Sequence, residues 1–408
     1  MKILDVAKAA LYGIFLNYYC YYVIRGTFIP GGTVLFLALA GLCVGVDIWK
    51  RRYVYIGTEI KCWLVYAVLS LITTAWVVAG VSGTGYIGDI IKYVQRVAII
   101  FMVYYICERE GSVRFGIQLM AVTAFALAIS VISVTGDYRQ KLNLTSGANL
   151  SANDAGAIMA FGCFATLFAW GRRGRSSFLL SVLKTAGFIC CLVVIFLAGS
   201  RKSIYAVVIM LGLLLVLCFP DYVKKLSIQK IIVVAVIGYV AFRFISENLL
   251  PYAGETNLYT RLFGRGVEGA EASDENRIQL IKWAIEAFMS HPIFGLGFNQ
   301  FDKYYGNYTH STYFEPLCCS GMIGLLYLYP YYSIIKKQIY LILVNKKGSY
   351  ARLKQKELFV FLCMALFVAV GVPYMYKDAP CILLGTFIAN QQISARELRT
   401  MGSTSGEY

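Results

Sequence analysis

The chain carries two histidines in 408 residues, with eight prolines and 22 acidic side chains against 38 basic ones. Each scarcity excludes something. Two histidines and no HExxH or CxxC spacing leave none of the usual zinc sites. No Asp-x-Asp pair and no glycine-rich phosphate loop occurs, so nucleotide-sugar or ATP chemistry has no visible equipment. Charged residues make up 15 % of the chain and hydrophobic residues 59 %, which excludes a soluble domain. The twelve cysteines lie almost entirely within apolar runs, and none falls between residues 248 and 311. They read as small buried apolar residues and not as a disulfide framework.

What is present is apolar length. Crossing a bilayer takes roughly 20 residues. Runs approaching that length recur at 9–24, 33–49, 62–80, 90–106, 115–134, 152–170, 178–198, 203–219, 229–247, 313–335, 357–373 and 380–394. The expectation is an all-α polytopic membrane protein of about twelve transmembrane helices, a single integral membrane domain over 1–408. The first run has no small-residue cleavage site and reads as a span. Lys92 and Arg96 fall inside the fourth.

The net charge of +16 is not a nucleic-acid signature here. The bases cluster in short connections: "KRR" at 50–52, "RRGR" at 172–175, "KK" at 224–225 and the stretch from Lys336 to Lys356. That bias predicts both termini in the cytoplasm and an anionic membrane surface as partner. Four segments then face outside: the one ending in "GANLSAND", the turn "AGSRKS", the large loop 248–312, and "YMYKDAP". No internal repeat is apparent.

Within the large loop, "SDENRIQLIKWAIEAFMSHP" reads as an amphipathic helix from Ser273 to His291–Pro292. Ile278, Ile281, Ile285, Phe288 and Met289 make its expected apolar face, opposite Asn276, Gln279, Lys282 and Glu286. Arg277 lines up with Ala284 and Phe288, near the apolar stripe. It is either a local partner of Asp274 and Glu275 or a cation aimed inward at an anion.

Arg201 sits in a turn too short to leave the membrane surface, against the topological bias. It either snorkels to headgroups or is held at the mouth of the bundle. Its neighbour Lys202 is the better candidate for snorkelling. His310 heads the tenth span; with an ordinary pKa near 6.5 it serves there as an anchor or as a proton acceptor. Thr312 and Glu315 have the spacing of a capping box opening that span, which makes Glu315 structural before catalytic. Asn149 and Asn153 share a helix face if the sixth helix starts early, where they bind hydroxyl-rich ligands or merely terminate the helix. Ser151 and Asp154 also have capping-box spacing. The glycines of "HPIFGLGFNQF" read as a structural turn, and His291 as a helix C-terminal cap.

In order, "GSRKS", "ENRIQLIKWAIEAFMSHPIFGLGFNQF" and "THSTYFEPLCCSGMIGLL" resemble the O-antigen ligase and Wzy-type polymerase superfamily, and "GANLSANDAGAIMA" resembles its upstream asparagine segment. The matches cover about residues 147–330. The family histidine is commonly followed by Asn; here Ser311 follows. The resemblance implies metal-independent glycosyl transfer with inversion at the outer face of the bacterial cytoplasmic membrane. The donor is a polyprenyl-diphosphate-linked oligosaccharide, with no nucleotide sugar and no cofactor. His310 would take the acceptor proton, Arg201 and Arg277 would hold the diphosphate, and Arg265 or Arg261 would assist. Asn149, Asn153 and Glu315 are further candidate contacts. Expected partners are the lipid-linked saccharide, membrane lipid and a chain-length regulator. The leading expectation is a polymerase of O-antigen or capsular repeat units. The alternatives are a ligase passing the glycan to lipid A-core or another acceptor, and a flippase for lipid-linked saccharide.

Overall fold

The structure is a computed structural model that describes residues 2–20, 32–77, 85–133, 152–168, 178–198, 200–220 and 268–404. Among them every regular element is a helix. The first part of the chain gives α1 (Ile3–Cys20), α2 (Gly32–Arg51), α3 (Thr58–Val77), α4 (Gly85–Glu110), α5 (Arg114–Ser133), α6 (Ala152–Phe168), α7 (Phe178–Ala198) and α8 (Arg201–Leu213), the last continued by a π turn at Leu214–Cys218. After the gap come α9 (Glu268–Ser290), α10 (Phe301–Tyr305), α11 (Phe314–Ser320), α12 (Gly324–Val344), α13 (Tyr350–Ala369) and α14 (Ala379–Thr404).

Within the described residues the expected spans other than the ninth fall on helices, the tenth on α11 and α12 together. The ninth, 229–247, lies outside the described residues. Among the described residues six helical stretches are long and apolar enough to cross a membrane: Gly32–Arg51, Thr58–Val77, Ile87–Glu110, Arg114–Val131, Arg201–Cys218 and Phe314–Val344. Asn153–Phe168 and Ser181–Phe196 are shorter apolar helices.

The bundle is built by neighbours in sequence and by the C-terminal helices folding back. Helix α1 packs on α2 and α5, α5 on α6, and α6 on α7 and α8. Helix α14 lies along α4, α12 along α3, and α13 along α8. Phe164 and Phe361 stack at 4.1 Å where α6 approaches α13. Several polar side chains in the interior bond internally, as a dry core favours. Thr123, Ser130 and Thr166 donate to carbonyls one turn back. Gln338 donates to the side-chain oxygen of Gln355 at 2.8 Å, and Asn390 donates to the side-chain oxygens of both at 3.2 and 2.8 Å. This buried amide cluster joins α12, α13 and α14. The indole of Trp63 donates to the Tyr327 carbonyl at 3.1 Å, one turn before the helix-interior Pro330.

Two sequence expectations change. The tenth span is not continuous: a 3-10 turn at Gly321–Ile323 separates α11 from α12. The amphipathic helix starts earlier than Ser273, at Glu268, and buries a different face. Leu280, Ala284 and Ala287 are its buried residues, whereas Ile278, Ile285 and Met289 are 57 %, 47 % and 71 % exposed.

Both changes have one cause. The segment after α9 lies backbone to backbone against α11. Leu296 and Gly297 donate to the carbonyls of Cys318 and Cys319 at 3.0 and 2.8 Å, and Met322 donates to the Pro292 carbonyl at 2.7 Å. Gly295 and Gly321 both take positive φ, 66° and 57°. A Cβ on Gly321 would stand 2.5 Å from the Pro292 oxygen, and one on Gly295 2.6 Å from the Cys319 oxygen. The glycines serve turn and contact together. Small helix residues at 284 and 287 let α9 come close beside the buried Leu280, while Ile278, Ile285 and Met289 are left outside. Gly321→Ala should therefore lower stability by roughly 2–4 kcal/mol, seen as a lower melting temperature in detergent. Gly348→Ala, at a positive φ with open space around it, is the control for backbone strain alone and should cost less.

Candidate active site

His310 stands in the turn between α10 and α11, with φ of 56°. A non-glycine residue in this region is uncommon and needs surroundings that hold it. Two locks do so. Before it, Thr309 donates both its backbone N–H and its hydroxyl to Glu315 Oε2, each at 2.7 Å. Glu315 is fully buried, and its other oxygen accepts from the Tyr376 hydroxyl at 3.0 Å. After it, the Thr312 N–H donates to the Ala369 carbonyl at 2.9 Å. The Thr312 hydroxyl donates to the Val372 carbonyl at 2.5 Å and accepts from the Tyr374 N–H at 2.9 Å.

The expected capping box is not formed. Thr312 turns to the end of α13, and Glu315 reaches back six residues to Thr309. The N-cap of α11 is Tyr313. The three-residue spacing was right for a box, but a buried carboxylate takes the nearest set of donors. Glu315 is thus a support beneath the histidine turn.

The charges around His310 come from four elements. Lys377, following the 3-10 turn Tyr374–Tyr376, pairs with Asp154 in the first turn of α6 at 2.7 Å. Its amine stands 5.9 Å from the centroid of the Tyr308 ring, and that ring packs against the His310 imidazole at 4.2 Å. The next residue, Asp378, is held by Arg96 of α4 at 2.8 Å. Lys202 of α8 is half-buried, with its amine where a Cβ on Gly371 would fall. Its side chain therefore runs toward the segment that follows α13. Arg277 of α9 is half-buried. Gly156 lets α6 approach α8, since a Cβ there would meet Ser200 at 2.6 Å.

Burial pushes the His310 pKa down to about 4, and the nearby Arg277, Lys202 and Lys377 push the same way, with Asp154 opposing. The imidazole is accordingly neutral at neutral pH. Burial also pushes the Tyr308 hydroxyl up to about 12.

Of the residues picked out by sequence, the structure groups His310, Arg277 and Glu315. Arg201 is half-buried at the first position of α8, beside Lys202. The largest charge effects on His310 come from Arg277, Lys202, Asp154 and Lys377, and Arg201 is not among them. Asn153 is half-buried at the second position of α6. Asn149, Arg261 and Arg265 lie outside the described residues. His291 is exposed at the end of α9. Lys202, Lys377 and Tyr308 are the members sequence reasoning passed over as site residues. A signal for Lys377 existed, since it too is a base in an expected outer segment. Among the described residues, no group of three His, Cys, Asp or Glu side chains converges as a metal ion would need.

Residues 186–329 match the family model described as O-antigen ligase. That stretch contains Lys202, Arg277, His310 and Glu315, while Asp154 and Lys377 lie outside it. No curated protein matches the chain.

If Glu315 supports the turn, Glu315→Ala leaves two buried donors of Thr309 and the Tyr376 hydroxyl without their acceptor. That should cost about 2–4 kcal/mol, read as a lower melting temperature. Glu315→Gln, which keeps an acceptor oxygen, should lose less.

Proposed function

We propose that this chain, which belongs to the O-antigen ligase/Wzy superfamily through residues 186–329, transfers glycan from a polyprenyl-diphosphate-linked donor to a sugar hydroxyl. The transfer takes place at the outer face of the bacterial cytoplasmic membrane, with both chain termini inside. The observation that carries this reading is the neutral, cation-surrounded His310 in a turn locked on both sides.

The chemistry follows from those groups. An acceptor hydroxyl oxygen attacks the anomeric carbon as its bond to the phosphate oxygen breaks. The hydroxyl proton passes to an imidazole nitrogen of His310. The electron pair of the broken bond stays with the departing lipid diphosphate, which gains one negative charge. A neutral base and fixed cations are what this step needs, and no part of it calls for a cofactor. One displacement assisted by a general base inverts the anomeric centre.

The cations also couple the two halves of the step. These cations depress the basicity of His310. A bound diphosphate offsets their charge, so His310 becomes a better proton acceptor when donor is present. Arg277 suits an anion because a guanidinium binds phosphate through paired N–H donors. Arg201, Arg261, Arg265, Asn149 and Asn153 remain candidate contacts to the same substrate.

Within the superfamily our reading is a polymerase that joins lipid-linked repeat units of an O-antigen or capsular glycan. Purified protein given a synthetic polyprenyl-diphosphate oligosaccharide should produce a ladder of products. Transfer only to an added lipid acceptor would make it a ligase instead. No transfer, together with movement of the lipid-linked saccharide across vesicles, would make it a flippase.

His310→Gln should lower kcat by about 10²–10⁴-fold. The kcat/KM of the wild type should show no acid limb near the ordinary histidine value of about 6.5, because the free enzyme protonates His310 only near about 4. The limb for kcat should lie higher, since donor fills the complex. Long polymer from His310→Gln would remove the general-base role.

A further inference from the structure

We propose that the end of the bundle away from the histidine turn holds a headgroup site for an anionic phospholipid, with Lys2, Lys50 and Arg114 as the groups that receive its phosphate. The site rests on the chain being a membrane protein and not on the glycosyl-transfer reading.

A cavity of about 740 Å³ opens there between the start of α1, the end of α2, the end of α4 and the start of α5. Helix α4 fixes its distance from the histidine turn. Arg96 of that helix holds Asp378, the neighbour of Lys377, at 2.8 Å. Twelve residues later Glu108 pairs with Arg396 of α14. Twelve helical residues rise about 18 Å. Arg109 and Glu110, which line the cavity, come next in the chain.

The cavity also lies where a bilayer surface is expected. Leu35, Leu39 and Leu42 are exposed along α2, and Trp49 at its end is 84 % exposed. Tyr53, just beyond α2, is exposed as well. An apolar face ended by aromatic side chains marks the change from acyl chains to headgroups. Lys50 stands between those two aromatics in sequence and lines the cavity.

Five bases and three carboxylates line the cavity. The carboxylates are already matched. Lys8 pairs with Asp5 at 3.3 Å and with Glu110. Asp47 is buried and accepts from Arg109 at 3.1 Å and from the Tyr105 hydroxyl at 2.7 Å. That leaves Lys2, ahead of α1, Lys50, in the last turn of α2, and Arg114, the first residue of α5. None of these three pairs with a carboxylate among the described residues. Like charges on one cavity repel, and a phosphate between them turns repulsion into attraction. Ser112 accepts from the Arg114 N–H at 3.3 Å, so its hydroxyl proton stays available to the same phosphate.

A lipid fits better than a soluble phosphate compound because Ile3 and Leu4 line the same cavity. They give the glycerol and the first methylenes an apolar wall beside the exposed face of α2. A basic pocket between spanning helices is the arrangement that recognises anionic headgroups. Lipid bound there would join α1, α2 and α5 at one end, so it should stabilise the fold.

The test uses the full chain in detergent micelles, with dioleoylphosphatidylglycerol as probe and dioleoylphosphatidylcholine as the zwitterionic control. Native mass spectrometry counts retained lipid, and the melting temperature reports stability. The wild type should retain phosphatidylglycerol over phosphatidylcholine and melt higher with it. Lys50→Gln combined with Arg114→Gln should weaken that retention about tenfold and remove most of the rise, with an unchanged melting temperature in phosphatidylcholine alone. Lys346→Gln combined with Lys347→Gln removes two exposed lysines outside the cavity and should change neither readout. Equal losses in the two double variants would mean diffuse surface charge and overturn the site, as would full retention by the cavity variant. An equal rise with sn-glycerol 3-phosphate in phosphatidylcholine micelles would overturn the lipid assignment in favour of a soluble phosphate compound.

Discussion

The site depends on a short stretch of backbone pairing. Three main-chain hydrogen bonds join residues 292–297 to residues 318–322. The Leu296 and Gly297 N–H groups are buried, where such bonds are costly to leave unmade. Here they attach α9, a helix outside the main bundle, to the head of a spanning element. The chain leaving that junction is then captured by α3 and its neighbours. The Phe298 N–H donates to Thr74 at 2.7 Å, and the Phe298 ring packs among Tyr66, Tyr93 and Tyr376. Tyr66 in turn shares a hydrogen bond with Ser320 at 3.0 Å. With both ends of the junction tied to α3, the distance from α9 to the histidine turn is set by rigid packing and not by loop length.

On that frame the polar groups are arranged in two tiers. The inner tier is uncharged in effect or internally satisfied: Thr309, Thr312, Glu315, Tyr374 and Tyr376 bond to one another and to the end of α13. The outer tier carries charge: Arg277, Lys202, Lys377 and Asp154. A mobile set of cations would collapse onto the nearest carboxylate or drift to solvent. Asp154 holds Lys377, and Lys202 lies against the segment that follows α13. This is preorganisation in the sense that a charged ligand would meet groups already in place.

Much of this was legible in sequence, for identifiable reasons. The helical class was legible because apolar length is a property of the chain alone. His310 and Arg277 stood out in the sequence because each is out of keeping with its surroundings. The buried face of α9 was not, because periodicity weights large side chains. The actual contact is made by Ala284 and Ala287, which allow close approach, and Ile278, Ile285 and Met289 are left facing away. Glu315 was given a partner three residues off when its true partner is six residues off. Lys202 was assigned to headgroups, since nothing local reveals that residue 371 leaves room for its amine. The Lys377–Asp154 pair spans more than two hundred residues, and no local pattern announces it.

The amide cluster of Gln338, Gln355 and Asn390 has a consequence for how the protein is made. Each of these side chains finds its partners only on the other helices of the trio, and Gln355 also donates to Ser394 at 3.0 Å. During synthesis α12 and α13 emerge with Gln338 and Gln355 while Asn390 is still to be translated. Until α14 is inserted, the pair carries unmet hydrogen-bonding capacity in an apolar setting. The last helix therefore acts as a latch. Since α14 also lies along α4, it ties α12 and α13 to a helix from the first part of the chain.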